Sequence, residues 1–450
     1  MTNSGLMIRK IRSKINDNIQ LKELVSSSTV FLLLRILGIG CGYLFTLMIT
    51  RNYGASAMGI FTLSFTLLQM ASVVGRFGLD TAILRFVSEL ASKGLQNDAR
   101  AVYMKSFLFA LCLSVLLSFA VYIFAPWASV SVFNKACLRK PFELVSLAVA
   151  PLALLYLNFE TLRGLKKIGE YAFLQNTSAF LVASVLLAFF LDANNNNLFP
   201  VKVFVIAVYF TFGLSMFRIS KNLGFTFSFL NMAPRLSSIL KVAFPMLISS
   251  SLMLFMGWTD SIMIGIYMDE QYVGIYSVAL KVATAAGITL MAVNSIAAPR
   301  FAEYYSKKDM ASFQKIVRYS SRLIFWTSLP VLIICLVFPS QIMSLFGSEF
   351  TTGKYALMIL TIGQFVNAVA GSVGYILQMT GKEIVFQNIV TASVMLNIML
   401  NIILIPLFGI TGAAVASAGS MIFWNAVSAV YIVKTQKIIT VYLPFSRSRK

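Results

Sequence analysis

Histidine is absent from the 450 residues. That removes histidine-based zinc sites, histidine general bases and histidine proton relays together. Acidic residues are scarce, 16 against 37 lysines and arginines. Charged residues make up only 12% of the chain, about half the ~25% of a soluble domain, so a soluble protein of this size could not cover its surface. There are four cysteines, and Cys41, Cys112 and Cys335 fall inside apolar runs while Cys137 lies in a loop. With no CxxC, they supply neither a disulfide framework nor a thiolate metal site. No GxxxxGK[ST] loop is present to hold a nucleotide triphosphate.

What is abundant is apolar sequence, 58% of the chain. It is gathered into runs of about 20 residues, the length at which a helix crosses a bilayer core. Runs lie at 29–50, 57–74, 104–124, 144–162, 171–191, 199–217, 242–263, 272–298, 323–339, 355–379, 384–407 and 410–433. A β-barrel would show short alternating segments instead. The pattern predicts an all-α polytopic membrane protein of about 12 transmembrane helices, with no cleavable signal peptide ahead of them.

The formal charge of +21 could suggest nucleic acid, but its distribution argues otherwise. With the N-terminus inside and twelve crossings, 29 of the 37 lysines and arginines fall on the cytoplasmic side. Six fall outside (Arg51, Lys135, Arg139, Lys140, Lys202 and Lys354), and Arg35 and Lys281 lie within spans. Basic residues concentrated on one side orient a membrane protein. They predict cytoplasmic termini and contact with membrane lipids, and no nucleic acid.

The chain repeats itself at an offset of 215. Met48-Ile49 matches Met263-Ile264, Gly59-Ile60-Phe61 matches Gly274-Ile275-Tyr276, and Arg85-Phe86 matches Arg300-Phe301. Leu162 and Lys167 match Leu377 and Lys382, and Gln175-Asn176 matches Gln387-Asn388 after a three-residue slip. Two parallel six-helix halves follow, with a central cavity between them. The organisation predicted is a tail at 1–28, a first half at 29–218, a cytoplasmic linker at 219–238, a second half at 239–433 and a basic tail at 434–450. The segments 88–103 and 300–318 read as charged amphipathic helices on the membrane surface. No loop is large enough to be a soluble catalytic domain, so the chain reads as a transporter and not an enzyme.

Three motifs then appear in order. Arg51-Asn52-Tyr53-Gly54-Ala55-Ser56-Ala57-Met58-Gly59-Ile60-Phe61 follows the first run, and Leu162-Arg163-Gly164-Leu165-Lys166-Lys167-Ile168-Gly169-Glu170-Tyr171-Ala172 follows the fourth. Pro406-Leu407-Phe408-Gly409-Ile410-Thr411-Gly412-Ala413-Ala414 precedes the last. Together they resemble the bacterial O-antigen (Wzx-type) flippases of the multidrug/oligosaccharidyl-lipid/polysaccharide exporter superfamily, over essentially the whole chain. The resemblance implies translocation of a polyprenyl-pyrophosphate-linked oligosaccharide, for O-antigen, lipopolysaccharide or another surface polysaccharide, to the outer leaflet of the bacterial inner membrane. It implies work alongside polysaccharide polymerase and chain-length proteins.

The residues themselves point to charges inside spans, which cost about 2.5–3.5 kcal/mol each on insertion scales and so mark function. Lys281 is the sole charge in the run 272–298, too deep for its stem to reach the interface. It reads either as a cavity cation or as the ion-pair partner of Asp260. Arg35 shares a helix face with Gly38 and Gly42, a stripe suited to close backbone approach or a cavity wall, with snorkelling as the bland reading. Lys281 and Arg35 are the expected contacts of the anionic pyrophosphate. Asp260 is the acid best placed to couple transport to a proton or a sodium ion; no cofactor or metal is implied. Arg85, Arg300, Glu160 and Arg163 are inner-gate candidates, although Glu160 and Arg163 are spaced to pair with each other, and Asp80 to pair with Arg76 or Arg85. Pro151, Pro245 and Pro330 are expected to kink their spans. Gly412, Ala416 and Ser420 form a small-residue packing stripe. The rival readings are a multidrug or lipid II exporter of the same fold, for which acidic cavities would suit cationic drugs, and a membrane glycan polymerase or ligase.

Overall fold

The structure, a computed structural model, describes residues 3–190, 196–224 and 234–442, and among them every regular element is helical. The first half comprises α1 (Asn3–Arg76), the amphipathic α2 (Leu79–Ser92), α3 (Gln96–Val132), α4 (Ala136–Leu147), α5 (Val149–Gly164), α6 (Ile168–Phe189) and α7 (Phe199–Asn222). The second comprises α8 (Leu236–Tyr267), α9 (Glu270–Gly287), α10 (Leu290–Ser306), α11 (Met310–Val337), α12 (Ser348–Ala370), α13 (Val373–Met379) and α14 (Glu383–Gln436). Six helices among the described residues are long and apolar enough to cross a membrane, or nine when each bent pair counts as one span.

Two of these helices fold back on themselves at glycine. α1 has 74 residues, which at 1.5 Å each would reach about 110 Å against a ~30 Å bilayer core. It turns at Gly54, where φ is 79°, a conformation that costs a residue with a Cβ. α14 turns the same way at Gly409, with φ 59°. Its two arms then press together, because a Cβ on Gly412 would lie 2.1 Å from the Leu404 carbonyl oxygen. The residues predicted as a tail, from residue 3 onward, continue the α1 helix. Residues 225–233 of the linker, the asparagine run through residue 195 and the end of the C-terminal tail lie outside the described residues.

Of the three prolines expected to kink their spans, only Pro151 lies beside a sharp bend. α8 and α11 run through Pro245 and Pro330 without a break. Pro151 sits in the first turn of α5, just after a 44° bend from α4. The other bends have no proline. α9 meets α10 at 45° through the tight turn Ala285–Gly287, where the Ser328 hydroxyl donates to the Ala286 carbonyl at 3.0 Å. α12 meets α13 at 42° at Gly371, with φ 75°. A neighbouring hydroxyl that satisfies the backbone permits such breaks inside a membrane.

The expected surface segments are shifted as well. The amphipathic helix occupies α2, and residues 300–306 are the end of α10. α11 starts where the Asp309 carboxylate accepts from the Ser312 amide at 3.0 Å. That bond holds the Asp309 carboxyl below the usual carboxylate range and caps the helix.

The two halves meet most closely between the second arm of α1 and α9. A Cβ on Gly59 would lie 1.7 Å from the Glu270 carbonyl oxygen, and one on Gly274 would lie 2.1 Å from that of Ala55. Beside them Thr62 donates to Ser277 at 3.1 Å. Gly59 and Gly274 are repeat-equivalent, as are Thr62 and Ser277, so this seam follows the symmetry of the repeat.

Candidate translocation site between the halves

Lys281 lies one turn before the α9–α10 bend and reaches across the seam to the first arm of α1. Its Nζ donates to the Gly42 carbonyl at 2.6 Å and to Thr46 Oγ1 at 2.5 Å. In return the Tyr43 hydroxyl donates to the Lys281 carbonyl at 2.6 Å. The ammonium also lies 5.3 Å from the Tyr43 ring and 5.9 Å from the Phe180 ring. Phe180 is fixed by Phe45 and Phe204, with centroids 6.0 and 5.6 Å away. Gly42 makes room because even a Cβ there would be 3.6 Å from the ammonium. Two charge-assisted bonds of about 1.5–3 kcal/mol each offset an insertion cost of about 2.5–3.5 kcal/mol. No carboxylate is needed to hold this lysine in place.

Asp260 is not its partner, contrary to the ion-pair reading. The Asp260 side chain faces the opposite way, into the second half, and is fully buried. Its Oδ2 accepts from the Tyr276 hydroxyl at 2.6 Å and from the Ser417 hydroxyl. Its Oδ1 accepts from Asn401 Nδ2 at 2.8 Å and Asn397 Nδ2 at 3.2 Å. Four neutral donors from α9 and both arms of α14 surround one carboxylate. Hydrogen bonding alone therefore meets its need for partners, and the helix rotation points it away from Lys281. Asn401 Oδ1 is buried there without a partner. A single buried carboxylate among neutral hydroxyl and amide groups is a group that can take up and release a proton.

Arg35 lies seven residues before Gly42, hence on the same face of α1 and about 10 Å away along the axis. Its guanidinium carbon is 5.9 Å from the Phe31 ring, and Nη2 reaches Met291 Sδ of α10 at 3.7 Å. Arg35 thus stands at a second, looser contact between the halves. The glycine stripe has divided roles. A Cβ on Gly38 would be 2.2 Å from the Asn176 carbonyl oxygen, so α1 packs directly on the widened turn Phe173–Ser178 of α6. Gly42 serves Lys281 instead.

The other charges pair among themselves or stay exposed. Glu160 and Arg163 pair with each other at 3.2 Å, and Asp80 pairs with Arg76 at 3.1 Å. Arg85 and Arg300 are exposed, and neither forms an ion pair among the described residues. Gly412 and Ser420 do pack, and Ser420 also touches Asn397 at 3.3 Å.

The end of the seam near Gly54 is closed by contacts that the sequence did not announce. Arg51 Nε donates to the Leu345 carbonyl at 2.6 Å, and Glu349 Oε1 accepts from the Ala55 amide at 2.6 Å. Ser56 donates to Glu270 at 2.9 Å, and Lys135 to the Gly265 carbonyl at 2.5 Å. Backbone acceptors leave no trace in a sequence. The pair Asn397 and Asn401, four apart in an apolar span, is the one signal that could have located the Asp260 nest.

Comparison with known proteins gives the same architecture. Residues 24–305 match the family described as polysaccharide biosynthesis protein, and residues 245–403 match MatE. The probable low-salt glycan biosynthesis flippase Agl15 of Haloferax volcanii is 33% identical over 179 residues, 40% of this chain and 38% of that protein. An uncharacterized membrane protein of Methanocaldococcus jannaschii is 27% identical over 179 residues, 38% of this chain and 34% of its own length. The match thus spans little more than a third of these relatives. Among solved structures, the lipid II flippase MurJ in an inward closed conformation superposes with a TM-score of 0.73 at 15% identity, over 92% of this chain and 88% of that one. An inward-facing multidrug resistance MATE transporter gives 0.71 at 14%, over 89% and 97%. With more than half of its length matched to that family model, the chain belongs to the family of polysaccharide biosynthesis proteins, and its helices share the fold of these transporters.

Proposed function

We propose that this protein flips a polyprenyl-pyrophosphate-linked oligosaccharide across the membrane, with both termini cytoplasmic and the closed Gly54 end facing outward. The observation that carries this is Lys281, a buried cation at the seam whose hydrogen-bond acceptors are a carbonyl and a hydroxyl. An anionic phosphate is a stronger acceptor than either, so it can take the ammonium from α1 and loosen the halves in doing so. Arg35, about two turns away on the same face, offers the second cation. The open-sided contact at Arg35 and Met291 suits a lipid whose tail stays in the bilayer. An inside-negative potential favours outward movement of an anion by about 2.3 kcal/mol per charge per 100 mV.

The finer reading is an O-antigen-type substrate, lipopolysaccharide assembly and a bacterial inner membrane, with polymerase and chain-length proteins downstream. The similarity to a glycan flippase over part of its length supports the glycan class, and no enzymatic step is needed. Asp260 is the coupling group, exchanging a proton or sodium ion as the halves rock. A multidrug exporter would share the fold, yet Arg35 and Lys281, which join the first arm of α1 to the second half, are cations. The deciding experiment is the lipid-linked intermediate that accumulates on deletion of the gene. Carrier-bound oligosaccharide trapped on the cytoplasmic leaflet is the expected result; its absence, with altered drug sensitivity, overturns this reading.

A further inference from the structure

The first half carries charges that the second half does without. Arg76, at the end of the second arm of α1, has a side chain only 9% exposed, and its Nε lies 3.1 Å from Asp80 Oδ2. Its guanidinium carbon is 4.2 Å from the Tyr156 ring. One turn along α5, Glu160 pairs with Arg163, whose guanidinium carbon lies 5.3 Å from the Tyr171 ring. Tyr156, against which Arg76 packs, stands one turn before Glu160 on the same helix, so the two pairs sit side by side as one cluster. At the offset of 215 the positions of Arg76, Asp80, Tyr156, Glu160 and Arg163 hold Met291, Ser295, Gly371, Tyr375 and Gln378. That alignment is gap-free through Arg85-Phe86 and Arg300-Phe301, and through Leu162 with Leu377. The corresponding stretches of the second half carry no charge at these positions, and buried ion pairs contribute little net stability, so stability alone is a poor reason for the charges in the first half.

The cluster is also incomplete. Arg76 Nη1 and Asp80 Oδ1 are buried with no partner, which leaves one strong donor and one strong acceptor of the same ion pair unsatisfied. It is continuous with the cations of the seam, since Phe31 stacks on Tyr171 at 6.0 Å with rings 4° from parallel and Arg35 lies beside Phe31. With two guanidiniums and two carboxylates the cluster is neutral, so it does not select an anion. Adjacent donors, acceptors and aromatic rings suit a polyol.

We propose that Arg76, Asp80, Glu160 and Arg163 form a saccharide-reading subsite, hydrogen-bonded to the sugar hydroxyls nearest the pyrophosphate that Arg35 and Lys281 hold. This rests on the lipid-linked glycan reading above. Asp80 and Glu160 accept from hydroxyls, and Arg76 and Arg163 donate to sugar oxygens. A site built to bond hydroxyls discriminates strongly against a ligand lacking them.

The test compares two probes on the full chain in lipid nanodiscs: lipid-linked oligosaccharide extracted from cells lacking the gene, and polyprenyl pyrophosphate without sugar. The unaltered protein is expected to bind the glycan-bearing lipid about tenfold or more tightly over the bare carrier. Asp80→Asn with Glu160→Gln should erase that preference and leave bare-carrier affinity unchanged, whereas Lys281→Ala should weaken both probes. Glu160→Gln alone, at the less buried pair, gives the same readout should the double variant not fold. Equal binding of both probes by the unaltered protein, or a preference that survives the substitutions, overturns the subsite. Binding of neither probe instead overturns the flippase reading on which it rests.

Discussion

Thr62 and Ser277, 215 positions apart in sequence, share a 3.1 Å hydrogen bond where the second arm of α1 meets α9. Two repeat-equivalent side chains touching each other mark the axis about which the halves are related. If the halves separate there during transport, a bond that cannot break should stop it. Hydroxyl oxygens this close place their Cβ atoms within reach of a disulfide. In a background lacking the four native cysteines, Thr62→Cys with Ser277→Cys should cross-link on oxidation and abolish flipping. Reductant should restore it. Full transport by the cross-linked protein would place the moving contact elsewhere.

Lys281 offers the sharpest functional test. Lys281→Ala should insert normally and lose transport by ~30-fold or more, the equivalent of about 2–5 kcal/mol for removing one partner of a buried charged contact. Lys281→Arg should keep part of the activity. Because Asp260 bonds to Tyr276, Asn397, Asn401 and Ser417, adding Asp260→Ala to Lys281→Ala should not rescue function. Rescue would reveal a coupling between the two that their separate partners do not suggest. Flux of lipid-linked glycan in proteoliposomes is the measurement.

Asp260 itself should report on the energy source. Asp260→Asn keeps the shape, and Tyr276 and Ser417 can reorient their hydroxyls to suit an amide. The variant should be expressed and folded, with flux that no longer responds to an imposed proton or sodium gradient. A response equal to that of the unaltered protein would exclude Asp260 as the coupling group.

Gly38 should tolerate no side chain. A Cβ there would stand 2.2 Å from the Asn176 carbonyl oxygen, so Gly38→Val has to push α1 off α6. Overpacking of this kind costs about 1–3 kcal/mol. Thermal unfolding in detergent should show a clear fall in midpoint for Gly38→Val and little change for Gly40→Val, since a Cβ on Gly40 meets nothing within 4 Å.

Topology is tested with native chemistry. Cys137 is exposed in the first turn of α4, on the side predicted to be external. It should react with a membrane-impermeant maleimide added outside intact cells, whereas a cysteine at Lys166 should react only after permeabilisation. Labelling in the reverse sense would invert the direction of transport.

Sequence by itself determined the membrane, the helical class, the twofold repeat and the identity of the isolated charges. These are legible because a bilayer imposes a length on each span and a cost on each ion, and both are written directly in residue type. Only the tertiary structure decided who touches whom. A lysine in a span announces that it needs partners, but Lys281 chose the Gly42 carbonyl and Thr46, and carbonyls are common to every residue. Position along the chain offers Asp260 as a partner for Lys281, yet the rotation of α8 and the fold of α14 at Gly409 bring two asparagines and a serine to it instead. The bends likewise follow packing: proline weakens a helix anywhere, but a break persists only where a neighbour such as Ser328 satisfies the backbone that it exposes.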